Sequence, residues 1–211
     1  MNHKKGLFIV FEGIDGSGKS TQVKMLHSFM LENFGPTIMT CEPTKGPIGV
    51  IIRQVFSKKL VMDNKAVAGL FVADRLDHIT NIETGMLQYL QKGVHVICDR
   101  YFLSSYAYQG AFTPKEWLVE ANSYARKLLM PDITFYLNIK PETGLGRIHS
   151  DRDFKEIYET ADTQQKVHDN YKEAIRKFKE SDNIYQIDAT RDKFLIAKEI
   201  ESLIIPMAQS Q

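Results

Sequence analysis

The chain has 211 residues, 43% hydrophobic and 25% charged, the balance of an ordinary globular domain large enough for a real core. Its formal net charge of +1 excludes a global field that would draw it to nucleic acid or to a membrane surface, so an anionic ligand must be held by local cations. Two cysteines, Cys41 and Cys98, exclude a disulfide scaffold and fit a reducing cytoplasm, the six histidines form no zinc pattern, and no apolar run approaches the roughly 18 residues of a membrane span.

Met1-Asn2-His3-Lys4-Lys5 leads straight into the first apolar run, without the pattern of a signal peptide. That run, Leu7–Glu12, reads as a strand. The segment after it, Gly13-Ile14-Asp15-Gly16-Ser17-Gly18-Lys19-Ser20, matches G-x-x-x-x-G-K-[ST], the phosphate-binding P-loop. A helix is expected over Lys19–Phe34. Strand, glycine turn and helix start together aim backbone N–H groups and a helix dipole at one anion. Lys19 can then reach the β- and γ-phosphates, and the Ser20 hydroxyl suits a Mg²⁺ ion. Triphosphate binding follows.

Further along, strands are expected at Thr37–Thr40, His95–Asp99, Ile133–Asn138 and Ile184–Asp188. Helices are expected over Ile48–Phe56, Ala66–Gln91, Pro114–Leu129, Pro141–His149, Glu159–Glu180 and Asp192–Ile205. Gly35-Pro36 and Lys92-Gly93 act as stops. The alternation implies an α/β fold of P-loop NTPase type, a five-stranded parallel sheet with helices on both faces. No linker divides residues 1–211, so one domain is expected. The charged run Ser150-Asp151-Arg152-Asp153-Phe154-Lys155-Glu156 reads either as a solvated loop or as part of a mobile lid, at about 150–158, that carries Arg152 over the phosphates.

Three kinds of P-loop protein compete: a nucleotide switch, a motor or transport ATPase, and a small-molecule kinase. A GTPase switch should carry N-K-x-D, which is absent from the chain. A kinase needs a second, cation-lined pocket. Asp99-Arg100-Tyr101 follows a strand, where the metal-site acid of P-loop enzymes lies, so Asp99 can hold a Mg²⁺ water and Arg100 can face phosphate. Phe71 and Arg75 are four apart and share a helix face, a stacker beside a guanidinium, although a core Phe with an exposed Arg would look the same. Ser104-Ser105-Tyr106-Ala107-Tyr108-Gln109-Gly110 offers hydroxyls and a carboxamide that could read a base edge.

Taken in this order, Phe11-Glu12-Gly13 through Thr21, Glu42-Pro43, Phe71 with Arg75, Asp99-Arg100-Tyr101, Ala107-Tyr108-Gln109-Gly110 and Ile187-Asp188-Ala189-Thr190 resemble the bacterial thymidylate kinases across almost the whole chain. The resemblance implies transfer of the ATP γ-phosphoryl group to the 5′-phosphate of dTMP, giving dTDP and ADP in dTTP supply. It implies ATP and dTMP as partners, Mg²⁺ as cofactor, a cytoplasmic homodimer, and no nucleic acid or membrane.

Residue by residue, it implies that Gly13, Ile14, Asp15, Gly16, Ser17, Gly18, Lys19, Ser20 and Thr21 cradle ATP. Asp15 also contacts the acceptor 3′-hydroxyl. Phe71 stacks on thymine, and Arg75, Ser105 and Gln109 read its edge. Tyr108 packs beneath the deoxyribose. Arg53 and Arg100 hold the acceptor phosphate, and Glu42 orders that site and its magnesium. Gly16 and Ser17 stand where some members carry a catalytic arginine, which moves that charge to the lid and singles out Arg152, with Arg147 stacking on adenine. The chain departs from the family pattern at Cys41, at Thr44-Lys45 and in a lid poor in arginine. The alternatives are a kinase of another nucleoside monophosphate or of a nucleoside, and a P-loop ATPase or binding module without a small acceptor.

Overall fold

The computed structural model describes residues 5–149 and 160–210. Five strands form one sheet: β1 (Phe8–Glu12), β2 (Thr37–Cys41), β3 (His95–Asp99), β4 (Ile133–Asn138) and β5 (Ile184–Asp188). Every pairing is parallel and the order is β2-β3-β1-β4-β5. All five residues of β1 are buried, so both sheet faces are covered at the centre. The edge strands β2 and β5 keep partly exposed positions.

Helices α1 (Lys19–Asn33), α2 (Pro47–Phe56), α3 (Asn64–Thr80), α4 (Met86–Gln91), α5 (Phe102–Tyr108), α6 (Lys115–Ala121), α7 (Ser123–Leu128), α8 (Pro141–His149), α9 (Ala161–Phe178) and α10 (Lys193–Gln209) flank the sheet, with a 3₁₀ turn at Gln109–Ala111. Helix α1 rests against α10, and α5 against α9. Asp63, Thr160 and Asp192 cap α3, α9 and α10 by accepting from backbone N–H groups of the first turn.

The parallel strands and most helices lie where the apolar pattern puts them, and three helices differ. The span Ala66–Gln91 is two helices. The Asn81 side chain accepts from Glu83 N and Thr84 N in a turn that ends α3. Gly85 then lies so close to the Asn81 carbonyl that a β-carbon would stand 2.4 Å from it. Ile82, inside the expected helix Ala66–Gln91, is 86% exposed on that turn. The span Pro114–Leu129 also divides, at Asn122 between α6 and α7. Helix α10 continues past Ile205 through Pro206. Helix α5 had no periodic signal because every one of its residues is buried. The expected lid, and Arg152 in it, fall outside the described residues. No helix among the described residues is long and apolar enough to cross a membrane.

Candidate active site

Central β1 has β3 on one side and β4 on the other, and a crevice opens beyond the carboxyl ends of such strands. Both chemical motifs lie there. In register, Phe11 faces Asp99, and Arg100 N continues the ladder by donating to Phe11 O at 2.8 Å. Gly13–Ser20 and Asp99–Tyr101 therefore leave the sheet side by side.

The glycine loop turns through positive φ at Gly13 (145°), Gly16 (74°) and Gly18 (93°). At Gly16 a β-carbon would stand 2.2 Å from Gly144 O in α8, so the loop takes only glycine there. Gly144 returns the constraint, since its own β-carbon would stand 2.6 Å from Asp15 O. Lys19 is buried and its Nζ donates to Gly13 O (3.0 Å) and Ile14 O (2.9 Å). Burial, reinforced by the Arg100 charge, lowers its pKa to about 8.

Ser20 Oγ donates to Asp99 Oδ2 at 2.8 Å, while Asp99 Oδ1 is buried with no partner among the described residues. A hydroxyl and a carboxylate in contact, one oxygen unspent, are hard donors that fit Mg²⁺. No larger cluster of His, Cys, Asp and Glu is found among the described residues. None is needed, because Mg²⁺ keeps waters and substrate phosphates as its other ligands.

Arg100 sits at φ 73° although it is not glycine, a conformation that costs on the order of 1–3 kcal/mol and needs support. Its Nη2 pairs with Asp15 and donates to Tyr108 Oη at 3.0 Å; its Nη1 donates to Gly13 O and Ser104 Oγ, each at 3.1 Å. Tyr108 Oη in turn donates to Asp15 Oδ2 at 3.0 Å. Burial alone would raise the Asp15 pKa; Arg100 and Lys19 overcome it and hold the carboxyl below its ordinary value. The support lies beneath. Fully buried Glu12 accepts from Tyr101 N (2.9 Å), Ser104 N (3.1 Å), Ser104 Oγ (2.5 Å) and Tyr171 Oη (2.9 Å). Burial raises the Glu12 pKa, yet every one of these partners donates and so favours the carboxylate.

Beside the loop opens a cavity of about 650 Å³, of ligand-binding size, lined among others by Asp15, Glu42, Arg53, Phe71, Arg75, Arg100, Tyr108 and Gln109. Phe71 lines it at 8% exposure, with its ring centroid 5.9 Å from that of Phe56. Arg75 is buried rather than exposed. Glu42, in the cavity lining, takes both the Arg75 guanidinium and, at 3.2 Å, His78 Nδ1. Ser105 does not line the cavity; it accepts from Arg75 at 3.1 Å behind it. Arg53 donates to the carbonyls of Pro43 and Thr44. Arg147, on α8, donates to Gly16 O (3.3 Å) and Ala189 O (3.1 Å), joining the glycine loop to the turn after β5.

The structure thus gathers nearly all the expected residues, and adds several that the sequence did not announce. Asp74 accepts from Thr44 N (2.7 Å) and Thr44 Oγ1 (2.6 Å), which fixes the turn where Thr44-Lys45 departs from the family pattern. Asp74, Arg75 and His78 share a face of α3, a spacing that could have flagged them. Glu12 stands directly before Gly13. Nothing local to Asn122 or Tyr171 marks either residue.

A family model described as thymidylate kinase matches residues 11–200. Among curated proteins, the chain is 40% identical to a probable thymidylate kinase of Methanocaldococcus jannaschii over 88% of each chain. It is 35% identical to a thymidylate kinase of Caldicellulosiruptor saccharolyticus over 95% of this chain and 98% of that one. It is 39% identical to a thymidylate kinase of Plasmodium falciparum over 89% and 84%.

Proposed function

The chain belongs to the thymidylate kinase family, and on that premise we propose a division of labour for the residues around its cavity. The reaction is ATP-dependent phosphorylation of dTMP to dTDP. The observation that supports the assignment of residues is the meeting of Asp15 with Arg100: a residue of the donor loop is paired with the arginine of the neighbouring strand, at the wall of a cavity with Phe71 and Arg75 also in its lining.

In-line phosphoryl transfer between polyanions needs positioning and charge neutralisation more than covalent chemistry. The acceptor is an ionised phosphate, so no general base is required. Gly13 to Thr21 hold the ATP phosphates, with Lys19 turned from its carbonyl partners onto the transferring group. Arg100 takes the acceptor phosphate. Arg53, now on the Pro43 and Thr44 carbonyls, stands near enough to share it. Asp15 takes the sugar 3′-hydroxyl and Tyr108 packs under the ring. Phe71 stacks on thymine, and Arg75 and Gln109 face its edge. Ser105 and Glu42 serve by holding Arg75. Ser20 and Asp99 would hold Mg²⁺, which would supply neutralisation of phosphate charge when bound. Arg147 faces the adenine side, and Arg152 of the lid supplies the last cation, worth roughly 10³–10⁵ in rate where arginine fingers act. A cytoplasmic homodimer belongs to the same reading.

The test is ADP release from Mg·ATP with dTMP, dUMP, dCMP, dGMP, UMP and AMP as acceptors. Turnover is expected to be strongest with dTMP, weaker with dUMP for want of the methyl, and weaker again with UMP, whose 2′-hydroxyl meets Tyr108. ADP release that ignores the acceptor would refute the reading in favour of a plain ATPase; preference for AMP or dGMP would refute the base assignment.

A further inference from the structure

Arg75 is 1% exposed, yet it lines the cavity. A guanidinium carries five N–H bonds in a rigid fork. Here Nε and Nη2 donate to Glu42 Oε2 at 2.9 and 2.5 Å, and Nη1 donates to Ser105 Oγ at 3.1 Å and to Asn122 Oδ1. The remaining N–H, on Nη2, has no partner among the described residues. The charge is matched by Glu42, and the fork lies over the Tyr101 ring, 5.2 Å from its centroid.

Asn122 is 1% exposed at the junction of α6 and α7, and its Nδ2 donates to Leu118 O at 2.8 Å. Leu118 O can only accept and Arg75 can only donate, so the Asn122 amide has one orientation, with Oδ1 on the guanidinium. Glu42 grips one side of the fork and Asn122 with Ser105 the other. These contacts leave the fork no freedom to turn.

We propose that Asn122 is a specificity-determining positioning residue: it anchors Nη1 so that Arg75 offers a single fixed N–H to the acceptor base. A lone N–H donates to an oxo group at that edge of a pyrimidine and opposes an amino group, which brings donors of its own. The proposal rests on the assignment of Arg75 to the base edge. A site built to pair a polar edge discriminates strongly because the wrong edge leaves buried groups unpaired. Without Asn122 one Nη1 hydrogen is unpaired, and the fork can swing off the base edge, which weakens both its bond to an oxo group and its opposition to an amino group.

The test compares kcat/KM for dTMP and dCMP in the wild type, Asn122→Ala and Asn122→Asp, with melting temperature as the check on folding. Asn122→Ala is expected to raise the KM for dTMP about tenfold, to narrow the dTMP-to-dCMP ratio by about tenfold or more, and to leave the KM for ATP unchanged. Asn122→Asp keeps an oxygen on Arg75 and is expected to hold the ratio within about threefold of the wild type. An unchanged ratio in Asn122→Ala would overturn the proposal, as would equal loss in both variants, which would assign the effect to the Leu118 contact. If Asn122→Ala does not fold, Ser105→Ala removes the other acceptor of Nη1 without touching the helix junction. A narrowed ratio there supports the proposal and an unchanged one overturns it. A wild type inactive on dTMP would refute the parent assignment instead.

Discussion

Lys19 lies folded over the loop it serves, and the state of its proton links nucleotide binding to pH. Burial, with Arg100 close by, brings its pKa down to about 8. Anionic phosphate oxygens would return it to the ordinary lysine range of about 10.4 or above. Nucleotide thus selects the protonated form, and above about pH 8 each binding event takes up a proton. At about pH 9 roughly one-tenth of the free enzyme carries a charged Lys19, so affinity should fall about tenfold from its neutral value, about 1.4 kcal/mol. Calorimetric titration with Mg²⁺ and a non-hydrolysable ATP analogue, in two buffers of different ionisation heat, counts the protons. About 0.9 should be taken up at about pH 9 and about 0.1 at about pH 7. Burial pushes Cys41 and Tyr108 upward, away from this window. Lys19→Arg should bind without proton uptake. Equal uptake at both pH values, or none at either, would refute the reasoning. Linkage gives folding stability a matching signature. The unfolded chain binds more protons between about 8 and 10.5, so stability should rise with pH through that window.

Phe71→Ala should raise the KM for dTMP by about tenfold or more while sparing that for ATP, since stacking on a base is worth roughly 1–3 kcal/mol. An unchanged KM with a lowered melting temperature would make Phe71 simply a neighbour of Phe56. Gly144→Ala should lower kcat/KM for both substrates about tenfold, because a β-carbon 2.6 Å from Asp15 O must displace the glycine loop. Kinetics like those of the wild type would show that α8 yields instead.

The parts of the site that rest on short segments were legible in the sequence. A P-loop is one strand, one turn and one helix start, and Asp99-Arg100-Tyr101 needs only the strand before it. The parallel sheet was legible because its strands are short apolar runs set between amphipathic ones. The Arg75 environment was not, since it joins the turn after β2, α3, α5 and the α6–α7 junction, whose pairings no local spacing reports. Helix α5 is buried at every position and so lacks the polar face that gives a helix its period. The breaks at Asn81 and Asn122 turn on single side chains bonding to nearby backbone, which compete with helix at little cost in pattern.

The register of β1 with β3 has a consequence for how this enzyme can vary. Phe11 opposite Asp99 places the glycine loop and Arg100 one strand spacing apart, about 4.8 Å. That interval works as a ruler between the glycine loop and Arg100, and its marks are backbone hydrogen bonds. A one-residue insertion before Asp99 would turn its carboxylate to the opposite face and carry Arg100 with it, with every catalytic side chain still present. A substitution in the cavity wall leaves that spacing unchanged, whereas a change in the length of either strand does not.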